Sequence, residues 1–556
     1  MDKVWLESYP QGVAAEIDCS SYRSLAHLME EAFHTFAPRT AYSCMGTTLS
    51  YAELDRMSAA LAAWLQSKGL VRGSRVAIML PNILQYPVVM AAVVRGGYTV
   101  VNVNPLYTPR ELEHQLVDSG AQVLFVLENF AHTVEQVLAN TPLQQVVVAS
   151  AGDLLGVKGA LVNLAARHLK KMVARFNLPK ALRFTQVMRE AAGMRLKDVQ
   201  IGHDDIAFLQ YTGGTTGASK GAVLLHRNVV ANVLQNEAWF QPTLADWPRD
   251  QGMTIVCALP LYHVFALTVC ALMGLRLGAS NILIPNPRDM PGFVRELKKH
   301  RINIFPGVNT LYNGLLNQAE FAGLDFSALK ACTGGGMAVQ KAVSDRWQQV
   351  TGVPIVQGYG LSETSAVATC NPCGIREFAA GIGLPLPSTE IAILDEEGRR
   401  LAFGEAGEIA IRGPQVMAGY WQREDDTAQA MTADGFFRTG DIGIMDSSGR
   451  TRIVDRKKDM ILVSGFNVYP NEIEAVIAGL PGVLECACVG VPDPSTGEAV
   501  KVFVVRKDQA LTAEQVFEHC KRQLTGYKKP KYVEFRDELP KTNVGKILRR
   551  ALREPA

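Results

Sequence analysis

Short apolar runs alternate with stretches of helical periodicity through the first part of the chain. The runs Arg75–Leu80, Val100–Val103 and Val123–Leu127 have the length and composition of buried strands. The segments Tyr51–Lys68 and Pro109–Ser119 carry apolar residues at helical spacing. Repeated alternation of this kind predicts an α/β fold, in which helices cover both faces of a mostly parallel sheet.

The length of the chain, 556 residues, exceeds what one hydrophobic core usually organises, so we expect two or more domains. After about Gly381 the strand patterns become short and meet acidic glycine turns at 395–398 and 446–449. Short strands joined by such turns predict a small antiparallel sheet or barrel over 381–450. The charged stretch Asp455–Asp459 predicts a surface linker, and the patterns beyond it fit a compact unit of about a hundred residues.

Composition excludes several classes of protein. The formal net charge is +2 and no run of like charges is present, so we expect no nucleic-acid partner. The first ten residues lack the apolar core of a signal peptide, which predicts a cytoplasmic protein. The ten cysteines are scattered, and Cys370 and Cys373 form a C-x-x-C pair without a second pair for zinc, so we expect reduced thiols.

The stretch Met253–Leu275 contains no Asp, Glu, Lys or Arg and reaches the length of a membrane span. Pro260, Tyr262 and His263 lie near its middle, where a lipid-facing helix would carry them at a cost. We therefore interpret this stretch as a buried strand that leads into a buried helix.

A loop rich in glycine and threonine follows the apolar run Ile206–Leu209. Glycines let backbone N–H groups converge on one point, hydroxyl groups add donors, and Lys220 adds positive charge, which together suit a polyphosphate. The loop is not a Walker A motif, because Gly221 follows the lysine where Ser or Thr would be required. The phosphate loop consists of Tyr211, Thr212, Gly213, Gly214, Thr215, Thr216, Gly217, Ala218, Ser219, Lys220, Gly221 and Ala222.

Further motifs follow the phosphate loop in a fixed order. They are Leu259–Phe265, Gly334–Met337, Gln357–Thr364, Arg438–Asp441, Asp455–Asp459 and Pro540–Lys546. With these motifs the chain resembles the adenylate-forming enzymes, which include acyl-CoA synthetases, luciferases and peptide-synthetase adenylation domains. The resemblance covers nearly the whole chain.

The resemblance implies a division into two domains. A large N-terminal AMP-binding domain, 1–457, would contain two helix-flanked, mostly parallel sheets and a small β-barrel subdomain at 381–450. A small, mobile α+β domain, 458–556, would follow a hinge near Lys458. ATP and coenzyme A would be co-substrates, with Mg²⁺ as the cofactor.

The resemblance also assigns roles to single residues. Thr212 and Glu363 would hold Mg²⁺, which prefers oxygen ligands. Tyr359 would stack on adenine, and Asp441 would accept hydrogen bonds from both ribose hydroxyls, with Arg456 as a second ribose contact. The other nucleotide contacts implied are Gly335, Gly336, Gln357, Gly358, Gly360 and Thr364.

Three residues would act at the acyl group. Lys546 would reach the carboxylate oxygen and the α-phosphate, where a positive charge stabilises the transition state. His263 would lie near the acyl carboxylate and the thiol entry. Gly465 would line the pantetheine tunnel, which any side chain would narrow.

Within this family the chain is similar to the bacterial long-chain fatty acyl-CoA synthetases. The segments that carry this similarity are Leu80–Pro87, Val103–Thr108 and Asp434–Gly443. They imply ATP-dependent ligation of a medium- or long-chain fatty acid to coenzyme A through an acyl-AMP intermediate, with release of AMP and pyrophosphate. Some long-chain members place a gating tryptophan shortly after the histidine; Phe265 to Leu267 contain none, which leaves the preferred chain length open.

Two other functions stay open at this point. One is the same adenylation of an aromatic or carrier-bound acid. The other is a nucleotide- or acyl-CoA-binding regulator without turnover. The presence of both Lys546 and Glu363 favours catalysis, since binding alone would not require the pair.

The segment 158–184 interleaves apolar and basic residues. As a helix up to Pro179 it would be basic on one side and apolar on the other, a pattern typical of helices that lie on membrane surfaces. The sequence thus predicts either peripheral contact with the anionic inner face of the cytoplasmic membrane or a core-packed helix with a solvated basic face. A homodimer also stays open.

Overall fold

A computed structural model describes residues 3–212, 219–248, 251–464, 466–542 and 545–553. The strands are β1 Thr40–Cys44, β2 Thr47–Ser50, β3 Arg75–Met79, β4 Thr99–Asn102, β5 Val123–Leu127, β6 Gln145–Ala149, β7 Leu182–Arg183, β8 Ile206–Tyr211, β9 Gly221–Leu225, β10 Thr254–Cys257, β11 Ser280–Leu283, β12 Ile304–Gly307, β13 Ala331–Gly334, β14 Ile355–Tyr359, β15 Thr369–Cys370, β16 Leu384–Pro385, β17 Glu390–Leu394, β18 Ala406–Arg412, β19 Gly419–Tyr420, β20 Phe437–Met445, β21 Thr451–Arg456, β22 Ile461–Val463, β23 Phe466–Val468, β24 Val483–Asp493, β25 Gly497–Arg506 and β26 Tyr532–Arg536.

Helices connect and cover these strands. They are α1 Leu25–Thr35, α2 Tyr51–Ser67, α3 Gln85–Arg95, α4 Pro109–Ser119, α5 Ala131–Val137, α6 Val157–Leu164, α7 Phe184–Ala191, α8 His226–Leu244, α9 Val264–Ala266, α10 Met273–Leu277, α11 Met290–Leu297, α12 Asn309–Leu316, α13 Lys341–Thr351, α14 Glu424–Ala430, α15 Pro470–Ala478, α16 Ala513–Gln523 and α17 Arg550–Arg553.

The apolar runs of the first part form the centre of one large sheet, in the order β19-β9-β8-β4-β3-β5-β6-β7. Its strands from β8 to β7 pair in parallel, and β9 and β19 are antiparallel additions. Alternate residues of β3 belong to different cores: Val76 and Ile78 pack with α2 and α3, while Ala77 and Met79 pack with α4 and α5. Because both faces are buried, β3 is apolar at every one of these positions, which confirms the prediction.

A second large sheet has the order β16-β15-β14-β13-β12-β10-β11-β1-β2 and is parallel from β1 to β14. The carboxyl ends of β13 and β14 carry the predicted glycine and tyrosine motifs. In α/β sheets ligands bind at this end of the strands, so the topology brings motifs that are distant in sequence to one edge.

The chain then forms an antiparallel sheet, β17-β18-β20-β21, in the region predicted as a small sheet or barrel. This sheet continues past residue 450 through β21, which ends at Arg456. A further sheet, β23-β22-β25-β24 with β26 parallel to β25, packs with α15 and α16 as a separate core. The predicted surface linker is wrong at its first residue, because Asp455 is the penultimate residue of β21 and is fully buried.

The uncharged stretch Met253–Leu275 is β10 followed by the helical residues 264–275, which are buried except for Phe265, as interpreted from the sequence. No helix within the described part of the chain is long and apolar enough to cross a membrane. The ten cysteines are all free thiols.

The segment 158–184 differs from the predicted helix. The helix α6 continues as one π-helical turn, Ala165–Leu169, and ends there because Lys171 adopts a left-handed φ of 49°. A core-packed helix describes only part of this segment, since Val162 and Phe176 pack against the cores whereas Leu161 is 68% and Leu169 is 80% exposed.

Candidate functional site

Strand β8 brings Tyr211 to the base of the predicted phosphate loop. Tyr211 is buried, and its hydroxyl group donates to Oδ2 of Asp118 over 2.6 Å. The N–H and the hydroxyl group of Thr212 both donate to the Lys220 carbonyl oxygen, at 3.0 and 3.4 Å. The two flanks of the loop are therefore closed against each other. The loop residues Gly213, Gly214, Thr215, Thr216, Gly217 and Ala218 lie outside the described residues.

The other flank of the loop is held by its neighbours. The Ser219 carbonyl oxygen lies 3.0 Å from Nε2 of His114. At Gly221 a Cβ atom would lie 3.1 Å from the Tyr211 ring, so the absence of a side chain gives that ring its room. Ala222 is buried in β9.

Lys220 is linked to Glu363 through one tyrosine. The Lys220 ammonium lies 2.5 Å from Oδ1 of Asp426 in α14 and 5.4 Å from the centroid of the Tyr420 ring. The Tyr420 hydroxyl group in turn donates to Oε1 of Glu363 over 2.8 Å. A phosphate oxygen can take the place of the Asp426 oxygen, because both are anionic acceptors for an ammonium group.

Glu363 is a buried carboxylate with spare acceptor capacity. Its side chain is 7% exposed, and burial raises the pKa of its carboxyl group. Within the described residues no group of three or more His, Cys, Asp and Glu side chains is arranged to hold a metal ion. A single carboxylate such as Glu363 suits Mg²⁺, which usually keeps several waters and takes phosphate oxygens as its other ligands.

Asp441 lies between Tyr359 and Arg456. The Tyr359 hydroxyl group donates to Oδ2 of Asp441 over 2.6 Å, and Nε of Arg456 lies 3.3 Å from Oδ1. Asp441 and Arg456 face each other because β20 and β21 pair in that register. Burial, and then the Asp441 charge, hold the pKa of Tyr359 far above its ordinary value. A ribose diol could donate to the same two carboxylate oxygens.

Close contacts or a left-handed backbone explain three glycines of the predicted nucleotide site. A Cβ atom at Gly360 would lie 1.7 Å from the Ala366 carbonyl oxygen, so no side chain fits there. One at Gly335 would lie 3.1 Å from the Phe265 ring, and Gly336 has a φ of +73°.

The side chains of two other residues that were predicted to contact the nucleotide donate hydrogen bonds to backbone carbonyl oxygens. The Gln357 amide group donates to the Gly381 carbonyl oxygen over 2.6 Å, and the Thr364 hydroxyl group donates to the Leu361 carbonyl oxygen over 3.1 Å. Gly358 lies between them in β14. These side chains hold the shape of the segment Gln357–Thr364, here called the nucleotide loop.

Lys546 reaches this site from the last segment of the chain. The preceding residue, Gly545, lies against α12 of the large domain: a Cβ atom there would be 2.6 Å from Oγ1 of Thr310. Burial, and then the positive charge of Arg456, lower the pKa of Lys546 from 10.5 to about 7.

The surroundings of Lys546 carry an excess of positive charge. Arg456, Lys458 and Arg549 all act against its protonation, while the Asp441 carboxylate favours it. Burial and the Arg456 charge also lower the pKa of Lys458 to about 8. Such a cluster is stabilised by a bound polyanion, which would restore the charge of the lysines.

His263 lies near Lys546. Burial, and then the Lys546 charge, lower its pKa to about 4, so the imidazole is neutral at pH 7. Its Nδ1 accepts the Phe265 N–H over 3.3 Å at the start of α9. A neutral ring here can accept or donate one hydrogen bond but adds no charge. The predicted residue Gly465 lies outside the described residues.

Sequence reasoning missed Tyr420 and Asp426. The signal available was the aromatic pair Tyr420 and Trp421 directly after Gly419, followed by the acidic run Glu424–Asp426. Neither pattern is specific by itself, and the phosphate loop lies about two hundred residues earlier in the chain, so only the pairing of β19 with β9 brings them together.

Comparison with known proteins agrees with this geometry. A long-chain-fatty-acid–CoA ligase from Yersinia pestis is 52% identical over 556 residues, 100% of this chain and 98% of that protein. A feruloyl-CoA synthase from Amycolatopsis is 33% identical over 92% of this chain and 95% of that protein. The crystal structure of an anthranilate CoA ligase in complex with anthranoyl-AMP superimposes with a TM-score of 0.84 at 25% identity, covering 96% of this chain and 98% of that one.

Two family models match the chain in the expected order. The AMP-binding enzyme model matches residues 29–421, and the AMP-binding enzyme C-terminal domain model matches residues 472–546, which include Lys546. The matches cover the phosphate loop, the nucleotide loop and the lysine segment. The chain therefore belongs to the AMP-binding enzyme family.

Proposed function

We propose that this protein joins a long-chain fatty acid to coenzyme A at the expense of ATP, through an acyl-AMP intermediate, and releases AMP and pyrophosphate. The observation that carries this proposal is the docking of Lys546 beside Arg456, Asp441 and His263, at the edge where the nucleotide motifs converge. The high identity to the Yersinia pestis ligase supports the fatty acid as the substrate.

In the first half-reaction a fatty acid carboxylate oxygen attacks the α-phosphorus of ATP, and pyrophosphate leaves. We assign the ribose to Asp441 and the adenine face to Tyr359, which already share a hydrogen bond at the site. Lys546 would place its positive charge on the carboxylate and the α-phosphate, where negative charge accumulates in the transition state. Binding of these anions raises the pKa of Lys546, so the lysine is charged when it is needed.

Glu363 and Thr212 are the residues that would hold Mg²⁺, and the phosphate loop with Lys220 would hold the outer phosphates. The buried position of Glu363 supports this role, because a bound cation would compensate for the carboxylate's desolvation. When bound there, Mg²⁺ would neutralise negative charge on the phosphate groups.

In the second half-reaction the thiol of coenzyme A attacks the acyl carbonyl carbon of acyl-AMP, and AMP leaves. A lysine-bearing segment that covers the acyl phosphate does not leave an open path for a thiol. We therefore propose that 1–457 and 458–556 act as two domains, and that the second rotates about Lys458 between the half-reactions.

The apolar residues Val264–Leu272 support an alkyl chain as the acyl substituent. They are buried except for the Phe265 ring, which lies against Gly335. Each methylene group that the enzyme buries contributes about 0.8 kcal/mol to binding. The related feruloyl-CoA synthase makes an aromatic acid the second candidate.

We expect coenzyme A-dependent release of AMP with palmitate to exceed that with cinnamate at least about tenfold in kcat/KM. The reason is that about two buried methylene groups already account for a tenfold difference. The assay measures AMP with palmitate, octanoate and cinnamate, with and without coenzyme A. Higher kcat/KM with cinnamate than with either fatty acid would assign the enzyme to aromatic acids instead.

We further propose that the surface formed by α6 and residues 165–172 binds anionic lipid bilayers from one side. Val157, Leu161, Leu164, Leu169 and Met172 are each more than half exposed on it. Lys170 and Lys171 are exposed between them. Apolar side chains next to lysines match the acyl chains and phosphate groups of such a membrane.

One ion pair connects this surface to the large domain. Nε of Arg167 donates to Oε1 of Glu128 over 3.2 Å, and Nη2 donates to Oε2 over 2.8 Å. Glu128 is only 2% exposed. The exposed apolar residues are thus presented by a segment that is fastened to the core.

We expect Lys170→Glu with Lys171→Glu to weaken flotation with phosphatidylglycerol vesicles at least about tenfold, because each lysine near an anionic surface contributes about 1 kcal/mol. The matched control is Arg295→Glu with Lys298→Glu, the same charge change at two exposed residues of α11 and its end. Unchanged flotation of the first variant, or an equal loss in the control, would contradict membrane binding through this surface.

A further inference from the structure

Asp455 is a fully buried carboxylate near the end of β21, and two of the groups around it, from Asn471 and Arg549, come from later parts of the chain. Its Oδ2 accepts the backbone N–H of Asn471 over 2.8 Å, and its Oδ1 accepts the N–H of Arg456 over 2.7 Å. The guanidinium group of Arg549 lies 3.6 Å from Oδ1. The side chain is 0% exposed, so these contacts replace water completely.

Arg549 is the centre of this cluster. It donates to both oxygens of Glu474, at 3.1 and 2.7 Å, and it lies 3.3 Å from an oxygen of Asp459. It also donates to Oδ1 of Asn471 over 2.5 Å. A guanidinium group with this many charged hydrogen bonds in one geometry is rigidly held, which a lysine could not reproduce.

Arg549 follows Lys546 by three residues in the same segment. Holding Arg549 therefore holds the backbone that presents Lys546 to the site. Glu474 and Asn471 lie on α15, so most of the cluster moves with the C-terminal domain. Asp455 does not move with that domain, because it precedes Lys458 and belongs to the sheet that also carries Asp441.

We propose that Asp455 is a positioning residue that holds the C-terminal segment, through Arg549 and the Asn471 N–H, in the arrangement that forms the adenylate. This inference rests on the proposed function, since it requires two half-reactions with different domain arrangements. Rotation about Lys458 carries Asn471 and Arg549 away from Asp455. The carboxylate then loses two of its partners, so the contact stabilises one arrangement and not the other.

Burial raises the pKa of Asp455 to about 6, while the Arg549 charge acts in the opposite direction. The carboxylate is therefore mainly ionised at pH 7 and above, the form that pairs with Arg549. The negative charge of Glu474 also raises the pKa of Asp455.

We expect Asp455→Asn to lower fatty-acid-dependent pyrophosphate exchange about tenfold while thioester formation from supplied palmitoyl-adenylate and coenzyme A changes less than about twofold. Asparagine keeps the size of the side chain but removes the charge that pairs with Arg549. The matched control is Asp459→Asn, which removes another partner of the same arginine, located beyond Lys458. In the control both half-reactions should change by the same small factor.

An equal loss of both half-reactions in Asp455→Asn, or no loss of either, would overturn the proposal. If this variant does not fold, as judged by its melting temperature, Arg549→Lys provides the same comparison, since a lysine cannot contact Glu474 and Asp455 together. Palmitate-dependent pyrophosphate exchange is also measured for the wild-type enzyme. If the wild type shows no such exchange, the proposed function is wrong, whereas the comparison of variants concerns only the role of Asp455.

Discussion

Replacement of Lys546 by alanine is expected to lower fatty-acid-dependent pyrophosphate exchange about 10²–10³-fold, the usual loss when one group that stabilises transition-state charge is removed. The loss should be confined to the first half-reaction, because the thiol attack needs an open path where the lysine segment lies. Palmitoyl-adenylate supplied with coenzyme A should still give the thioester at close to the wild-type rate.

The matched control is Lys541→Ala in the same segment. Lys541 pairs with Glu485 over 2.6 Å on the C-terminal domain and is outside the cluster around Asp441. It should leave both half-reactions nearly unchanged. If Lys546→Ala loses the second step as fully as the first, the lysine is structural or shared, and domain rotation is not supported for this protein.

Gly545→Ala is expected to impair adenylation at least about tenfold for two reasons. The backbone φ of +83° costs an alanine about 1–2 kcal/mol, and the new Cβ atom would lie 2.6 Å from Oγ1 of Thr310. Both effects oppose docking of the Lys546 segment on α12. Adding Thr310→Ala should recover part of the loss, since it removes the close contact and leaves the backbone strain.

Pyrophosphate exchange and thioester formation from palmitoyl-adenylate are measured for the single and the double variant. Gly69→Ala is the matched control, because Gly69 has a φ of +77° but open space where a Cβ atom would lie. It should lower thermal stability without separating the half-reactions. Full activity of Gly545→Ala, or no recovery in the double variant, would show that this contact does not govern docking.

Local patterns were enough to predict the elements that the large domain is built from. The runs at β3, β4 and β5 are apolar throughout because both faces of their sheet are covered, and helices α2 and α4 begin and end within a residue of the predicted bounds. The order of the motifs was also enough to predict the family, since each motif is a short local stretch with its own chemistry.

Local sequence patterns gave wrong predictions where contacts with distant residues determine the structure. The helix predicted up to Pro179 ends at Leu169, and Leu161, Leu164 and Leu169 are exposed although such apolar residues are equally typical of a packed helix. Asp455 lies in a charged run typical of a surface linker, yet Asn471 and Arg549 bury it. The burial of a charge depends on its partners, and those are supplied by the tertiary structure.

The sequence by itself therefore determined the α/β fold and the family, and it predicted the residue types that we propose for adenylation. Only the tertiary structure decided which of these groups meet. The hydrogen bond from Tyr359 to Asp441 spans 82 residues of sequence, and the pair of Lys220 with Asp426 spans 206. Such pairs follow from strand order and register, which no short stretch of sequence encodes, because a sheet joins segments by backbone hydrogen bonds that every residue type except proline can donate and accept.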